Sequence, residues 1–455
     1  MAVPAPAWRP RDTNPVPRMF PWQTVGVLVT TACLAMYLWL WIAARKPVAA
    51  GLLVIPLLLL MSAPVIRRAA RREATFDLAG LLVTGLSLRF AYSYLRVSNA
   101  SDAGVYFREG ARLASSFRAL HFDIDTGQKV PGTGALRYLA GLVDVVTFSN
   151  QMASFLVFTW LAFWGLYLMY RAFELAMPDG DRYRYARLVF LWPSLCFWPS
   201  SIGKESWLIF TIGAASLGAA RVFTRRPGGY TLLVAALFAA GFVRPHVALL
   251  TLMAFVIALF VGTRHAPTSG ARTPASIAKV AGLVVLVAVA SLFASRTADF
   301  LGVNDLSSSS IDSALSKQTE QSTIGGSAFT PANASSPQGY AETFVTILIR
   351  PFPFESHNVD ELLSAAEGIV LAGFAVTSWR RLASAPGRMR AQPYIGYALV
   401  FVFMFVYMFA AMANFGILAR QRTQMLPFAF VLLCIPLATR ARATGARRGA
   451  PAATA

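Results

Sequence analysis

Apolar runs of roughly 15 to 22 residues recur from position 25 almost to the C-terminal end, each close to the ~20 residues that cross a bilayer as helix. A chain that repeats this length so often has no soluble core in which to bury them all. With 56% hydrophobic and 14% charged residues, the 455-residue chain has the composition of a polytopic membrane protein. Its three cysteines, Cys33, Cys196 and Cys434, sit inside apolar runs without metal-ligand spacing and read as buried thiols.

The net charge of +20 does not point to nucleic acid, because the bases form small clusters between apolar runs instead of one stripe. Seven such clusters, around Arg11, Arg71, Arg184, Arg225, Arg272, Arg388 and Arg447, hold more than half of the 41 Lys and Arg residues. If the positive-inside rule places all seven in the cytoplasm, every interval between neighbours holds an even number of crossings. Each interval divides into two, so the sequence predicts an all-α fold of about twelve transmembrane helices with cytoplasmic N and C termini. The helices fall near 25–44, 48–66, 76–95, 151–170, two short halves between 187 and 220, then 229–243, 247–263, 280–295, 361–379, 393–413 and 423–439. The first run is long for a signal peptide, and Arg45-Lys46 follows it in place of a small-residue cleavage site. The expected organisation is a cytoplasmic tail (1–23), a single transmembrane domain (24–440) with outer segments about 97–150 and 296–360, and a disordered basic tail (441–455).

Four polar islands interrupt the apolar pattern: PSLCFWPSSIGKE (193–205), Arg244-Pro245-His246, RPFPFESHN (350–358) and NFGILARQR (414–422). The parity of the basic clusters puts all four, with Asp102, on the outer face. Ionisable groups at helix ends and breaks within a membrane are costly unless paired or solvated, which makes them candidates for function; snorkelling of single long side chains is the plainer reading. Lys204 and Glu205 fall where a helix begins, and an N-terminus with a lysine beside it suits a phosphate or carboxylate. The segment is no P-loop, since Trp198 stands at the first glycine position and Glu205 at the Ser/Thr position. Pro245 suits a first helical turn and sets Arg244 and His246 at another outer N-terminus.

In RPFPFESHN, prolines and phenylalanines hold an irregular interfacial backbone that carries Arg350, Glu355 and His357. Glu367, one to two turns on, is expected to pair with an arginine. Arg420 and Arg422 lie about 200° apart on a helix, so only one need face a cavity; guanidinium forks suit bidentate phosphate binding. After Asp102, the residues Tyr106, Phe107, Leu113 and Phe117 recur at helical spacing, and PGTG (131–134) opens a second amphipathic stretch. Asp102 reads equally as a helix cap or as the general base for an acceptor hydroxyl, and Glu205 as a salt-bridge partner or a second catalytic carboxylate.

SDAGVYFREGARLA, GTGALRYLAGLV, WPSLCFWPSSIGKES and FVRPHVALL together resemble bacterial GT-C-type polytopic glycosyltransferases, which use polyprenyl-phosphate-linked sugars on the outer face of the plasma membrane. IRPFPFESHNVDELLSAAEG and NFGILARQRTQMLPF resemble envelope-polysaccharide proteins grouped with O-antigen-type polymerases. The resemblance covers roughly residues 80–435. It implies a GT-C-like fold and a catalytic role for Asp102, the acid of an outer loop, although that loop follows the third helix here instead of the first. The expected function is therefore an integral-membrane glycosyltransferase or glycan polymerase of the cell membrane, with its active site outside. Its partners would be the lipid bilayer, a polyprenyl-phosphate-linked sugar and a glycan acceptor, with Lys204, Arg244, His246, Arg350, Glu355, His357, Arg420 and Arg422 binding substrate. No residue set demands a cofactor or a metal site, while a divalent cation (Mg or Mn) at Asp102 stays open. A transporter or flippase for a lipid-linked or anionic substrate and a non-catalytic envelope-assembly protein are the competing readings.

Overall fold

The computed structural model describes residues 47–98, 102–262, 274–303, 307–323, 327–332 and 336–436, with a few isolated positions elsewhere. Helix dominates, and no strand occurs among the described residues beyond a single antiparallel bridge between Ala328 and Asn414. Four helices are long and apolar enough to cross a membrane: Ala50–Arg72, Leu78–Ser98, Gln151–Ala176 and Lys204–Phe223. A fifth follows if Val359–Thr377 and Trp379–Arg388, bent by 67° at their junction, count as one span. The chain thus carries the helices of an integral membrane protein.

The chain divides into two compact units. The first takes the described parts of Met1–Tyr167 together with Ala186–Gly213. It begins with α1 (Pro47–Leu52) and α2 (Val54–Arg72), and α2 packs on α3 (Leu78–Ser98). The predicted end at 66 is overrun because Arg67, Arg68, Arg71 and Arg72 continue the helix, and cations in a last turn suit its negative end. Next come α4 (Asp102–Arg118) and α5 (Thr133–Val146), the two amphipathic stretches expected after Asp102, packed on each other. Then α6 (Gln151–Ala176) leads to α7 (Arg182–Leu191), α8 (Pro193–Phe197) and the start of α9 (Lys204–Phe223). Pro193 opens α8 without an N–H to offer the preceding turn, which is why the apolar run breaks into the expected short halves.

The second unit takes Leu168–Tyr185 and the described parts of Ala214–Ala455. Here α11 (Pro245–Val261) packs on α10 (Gly229–Val243), α12 (Pro274–Leu301) and α17, defined below. The Ser-rich stretch that follows contains α13 (Ser308–Ser322), whose first turn is capped by the Ser307 hydroxyl accepting from the Ser310 N–H. Next is α14 (Pro337–Ile349), capped by Ser336. After a 3-10 turn at Pro353–Glu355 come α15 (Val359–Thr377), α16 (Trp379–Arg388), α17 (Pro393–Met408), α18 (Phe415–Arg422) and α19 (Leu426–Leu433). Asn358 caps α15 and Asn414 caps α18.

Three apolar helices, Gly229–Val243, Pro245–Val261 and Pro393–Met408, are shorter than a full span. The helix expected near 423–439 is eight residues long as α19. Most of the first expected helix, both tails and the chain between 263 and 273 lie outside the described residues.

At the junction of α4, α5 and α6, Asp144 of α5 is wholly buried. Its Oδ1 accepts from the Ser154 hydroxyl of α6, which also bonds Thr147 at 2.7 Å. Oδ2 has no hydrogen-bond partner among the described atoms and lies against Gly110 of α4, where any β-carbon would sit 2.8 Å from it. Arg118 of α4 donates to the Asp144 backbone carbonyl at 2.8 Å and is the charged group that opposes the shift. Burial nevertheless pushes the carboxyl up to about 6. A carboxyl raised in the folded state adds stability that is complete below its ordinary pKa and fades as pH rises through the raised one. Asp144→Asn is therefore expected to stabilise the protein by about 2–3 kcal/mol at pH 7.5 and to flatten its stability between pH 4 and 7. Melting curves of both proteins across that range in one detergent check this; parallel curves would refute it.

Candidate functional site

Within the first unit, the helix starts of α4, α5 and α9 come together. Ala103, Leu136 and Ile202 belong to one buried cluster with Ala140, Phe155 and Phe158, placing the beginnings of the three helices around it. Lys204, the first residue of α9, donates from Nζ to the hydroxyl of Thr133, the first residue of α5, at 3.0 Å. Asp102, the first residue of α4, is exposed. The N-terminus of α5, with its partial positive charge, thus stands beside the lysine that opens α9. Glu205 is buried in the first turn of α9.

The polar turn before α9 is internally bonded. Ser206 donates to the carbonyls of Ser201 and Gly203 at 3.0 and 2.7 Å, and Ser200 to that of Cys196 at 2.5 Å. Arg96 of α3 stacks its guanidinium over Phe197 and Trp198, at 4.8 and 5.2 Å from the ring centroids. Thr133 escaped the sequence reading, although its glycine-flanked place in PGTG was a signal that the chain there approaches something closely.

Within the second unit, three of the polar islands meet. Arg244, which precedes α11, donates to the side-chain oxygen of Gln421 in α18, and Gln424 donates to the same oxygen at 2.7 Å. Beside Gln421, Arg422 is only 2% exposed. Its Nη1 donates to the carbonyls of Leu348 at 3.1 Å and Arg350 at 3.3 Å, which joins NFGILARQR to the start of RPFPFESHN. Burial lowers the pKa of Arg422, and the nearby charge of Glu367 opposes that effect. Glu367, expected to pair with an arginine, is thus close enough to act on Arg422 through its charge.

Arg350 forms a two-pronged pair with Glu355: Nε donates to both carboxylate oxygens at 3.1 Å, and Nη2 also donates to Oε1. The Arg350 guanidinium lies 5.0 and 5.1 Å from the ring centroids of Phe329 and Phe415, which stack on each other. The hydrogen bond from Arg350, helped by the Phe352 N–H at 2.8 Å, holds the Glu355 carboxyl below its usual range.

His357 is mostly exposed; its Nδ1 lies 3.7 Å from Glu361, a buried carboxylate that accepts from the Ser327 hydroxyl and the His357 N–H. His246 packs its ring on Phe300 at 5.1 Å and Phe409 at 6.3 Å. Arg420 is half-buried on the same helix as Arg422.

The structure therefore gathers Asp102 and Lys204 in one unit, and Arg244, Arg350, Glu355 and Arg422 in the other. Gln421, which accepts from Arg244, carries no charge and gave no signal of its own in the sequence. Among the described residues no group of three or more His, Cys, Asp and Glu side chains is placed to hold a metal ion. Comparison with protein-family models, with curated proteins and with solved structures found no match to this chain.

Proposed function

We propose that the protein is an integral-membrane glycosyltransferase or glycan polymerase of the cell membrane. It transfers a sugar unit from a polyprenyl-phosphate carrier to an envelope glycan acceptor on the outer face. The observation that carries this reading is the network that brings Arg244, Arg350 and Arg422 together from three distant segments. Arg244 donates there to a neutral amide, and a guanidinium fork suits bidentate binding of an anionic phosphate.

In the reaction, the acceptor hydroxyl oxygen attacks the anomeric carbon and the bond from that carbon to the phosphate oxygen breaks. The hydroxyl proton passes to a carboxylate, and the lipid phosphate leaves with its added charge held by cationic side chains. Donors fixed in place before charge develops stabilise it most where water is scarce.

Protein reconstituted in nanodiscs and given a labelled polyprenyl-phosphate sugar should form a new glycosidic bond. Arg244→Ala and Asp102→Asn should each lower kcat/KM about a hundredfold or more, the size seen when one charge-stabilising or acid-base group is removed. Full activity in both variants would sink the site assignment. Movement of unchanged substrate across sealed vesicles, with no bond formed, would favour the transporter reading instead.

A further inference from the structure

We infer that α16 is an in-plane helix that binds the headgroups of anionic phospholipids. The inference is independent of the proposed chemistry. It starts from the corner where the apolar α15 meets α16 at 67°. The corner is fastened from inside: Arg184 donates to the Ser378 hydroxyl at 2.7 Å and stacks over Phe374 at 5.1 Å. Arg381 donates to the Ile435 carbonyl at 3.0 Å and lies 3.6 Å from Asp181. Ser378 and Ala385 are buried on this inner side.

The neighbouring residues point the other way. Trp379 is 61% exposed, and Arg380 is exposed with its guanidinium 5.6 Å from the indole centroid. Ala383, Pro386 and Gly387 complete the exposed face, so small residues leave the Trp379–Arg380 pair projecting. Two adjacent arginines thus have opposite uses, Arg381 tied within the unit and Arg380 directed away from it. Arg388, half-buried, ends the helix, and the exposed Arg390 follows it.

What covers this face follows from its surroundings and its charge. Along α15, Leu362, Leu363, Ile369, Val370 and Val376 are exposed, an apolar side suited to hydrocarbon that runs directly into Trp379. Where such a side gives way to tryptophan and then arginine, the chain has the order of a bilayer boundary, with the indole at headgroup depth and the cations among phosphates. Three arginines at that level favour anionic headgroups over zwitterionic ones by roughly fivefold each.

The test uses the full chain in phosphatidylcholine nanodiscs, with a fluorophore on Ala383→Cys and nitroxide-labelled phosphatidylglycerol or phosphatidylcholine as probes. Labelled phosphatidylglycerol should quench the dye at least fivefold more effectively than labelled phosphatidylcholine. The preference should fall to parity in the R380Q/R388Q/R390Q variant with its melting temperature unchanged. Equal quenching by the two lipids in the parent protein would overturn the inference. So would a preference that survives the triple substitution, or no quenching by either lipid.

Discussion

Replacing Arg89 with leucine is expected to cost about 3–5 kcal/mol of stability, although leucine looks the better residue for an apolar helix. Arg89 lies in the middle of α3, one of the four helices long enough to span, and is fully buried. Its Nη1 donates to the carbonyls of Gly85 at 2.9 Å and Phe190 at 2.7 Å, and its Nη2 to that of Val189 at 3.2 Å. The last two belong to the end of α7, where carbonyls run out of intrahelical donors. Val189 has a particular need, because the residue four places on is Pro193, which has no N–H.

The guanidinium replaces the missing donor and sets a positive charge at the negative end of the α7 dipole, 5.6 Å from the Phe163 ring. Gly85 permits the approach, since a β-carbon there would stand 3.0 Å from the Phe190 carbonyl. Leucine would leave the Val189 carbonyl without this donor in an apolar setting, at ~1–3 kcal/mol, would leave the Phe190 carbonyl with the weak Cys196 thiol donor at 3.4 Å, and would lose charge-assisted bonds besides. Lysine keeps the charge and loses the fork, so Arg89→Lys should fall between leucine and arginine. Thermal unfolding in detergent ranks the three; a leucine variant as stable as the parent would show that water or other donors serve the α7 end.

Arg89 also marks what the sequence conceals. Alone in an apolar run, it carries no sign of which carbonyls it serves, because they lie about a hundred positions away and matter only once Pro193 has broken a helix. Asp144 is hidden for a related reason: an acid in an amphipathic stretch reads as part of a wet face, and only the packing of α4 through Gly110 turns that face inward.

Local signals, by contrast, were legible where the physics is local. Pro245 opens α11, Lys204 begins α9, and the spacing of Leu113 and Phe117 puts both on the buried side of α4. The all-helical fold follows from run length alone. The number of crossings does not, because apolar composition gives the same signal for a full span and for helices as short as Gly229–Val243. The helix within the Ser-rich segment was missed because serine weakly disfavours helix interiors while its hydroxyl at position 307 strengthens a helix start.

Arg422→Leu is the second substitution with a large expected effect, and its meaning comes from a partner. Alone, it should cost about 3–5 kcal/mol, because it strips the carbonyls of Leu348 and Arg350 of a charged donor and takes from Glu367 the positive charge beside it. Glu367→Leu alone leaves the guanidinium bound to its two carbonyls but without that carboxylate, and should cost less. If the two charges act as a pair, the double variant should lose at least 1 kcal/mol less than the sum of the singles, the coupling expected of groups in one network. The distinction bears on function as well as stability. An arginine committed to Glu367 and to two carbonyls is a strut that holds RPFPFESHN against α18, and its loss should lower transfer by displacing Arg350 and Glu355 together. In that case Arg350→Ala added to Arg422→Leu should reduce activity little further. Additive stabilities in the Glu367 cycle and multiplying activity losses in the Arg350 cycle would instead make Arg422 an independent ligand of the phosphate.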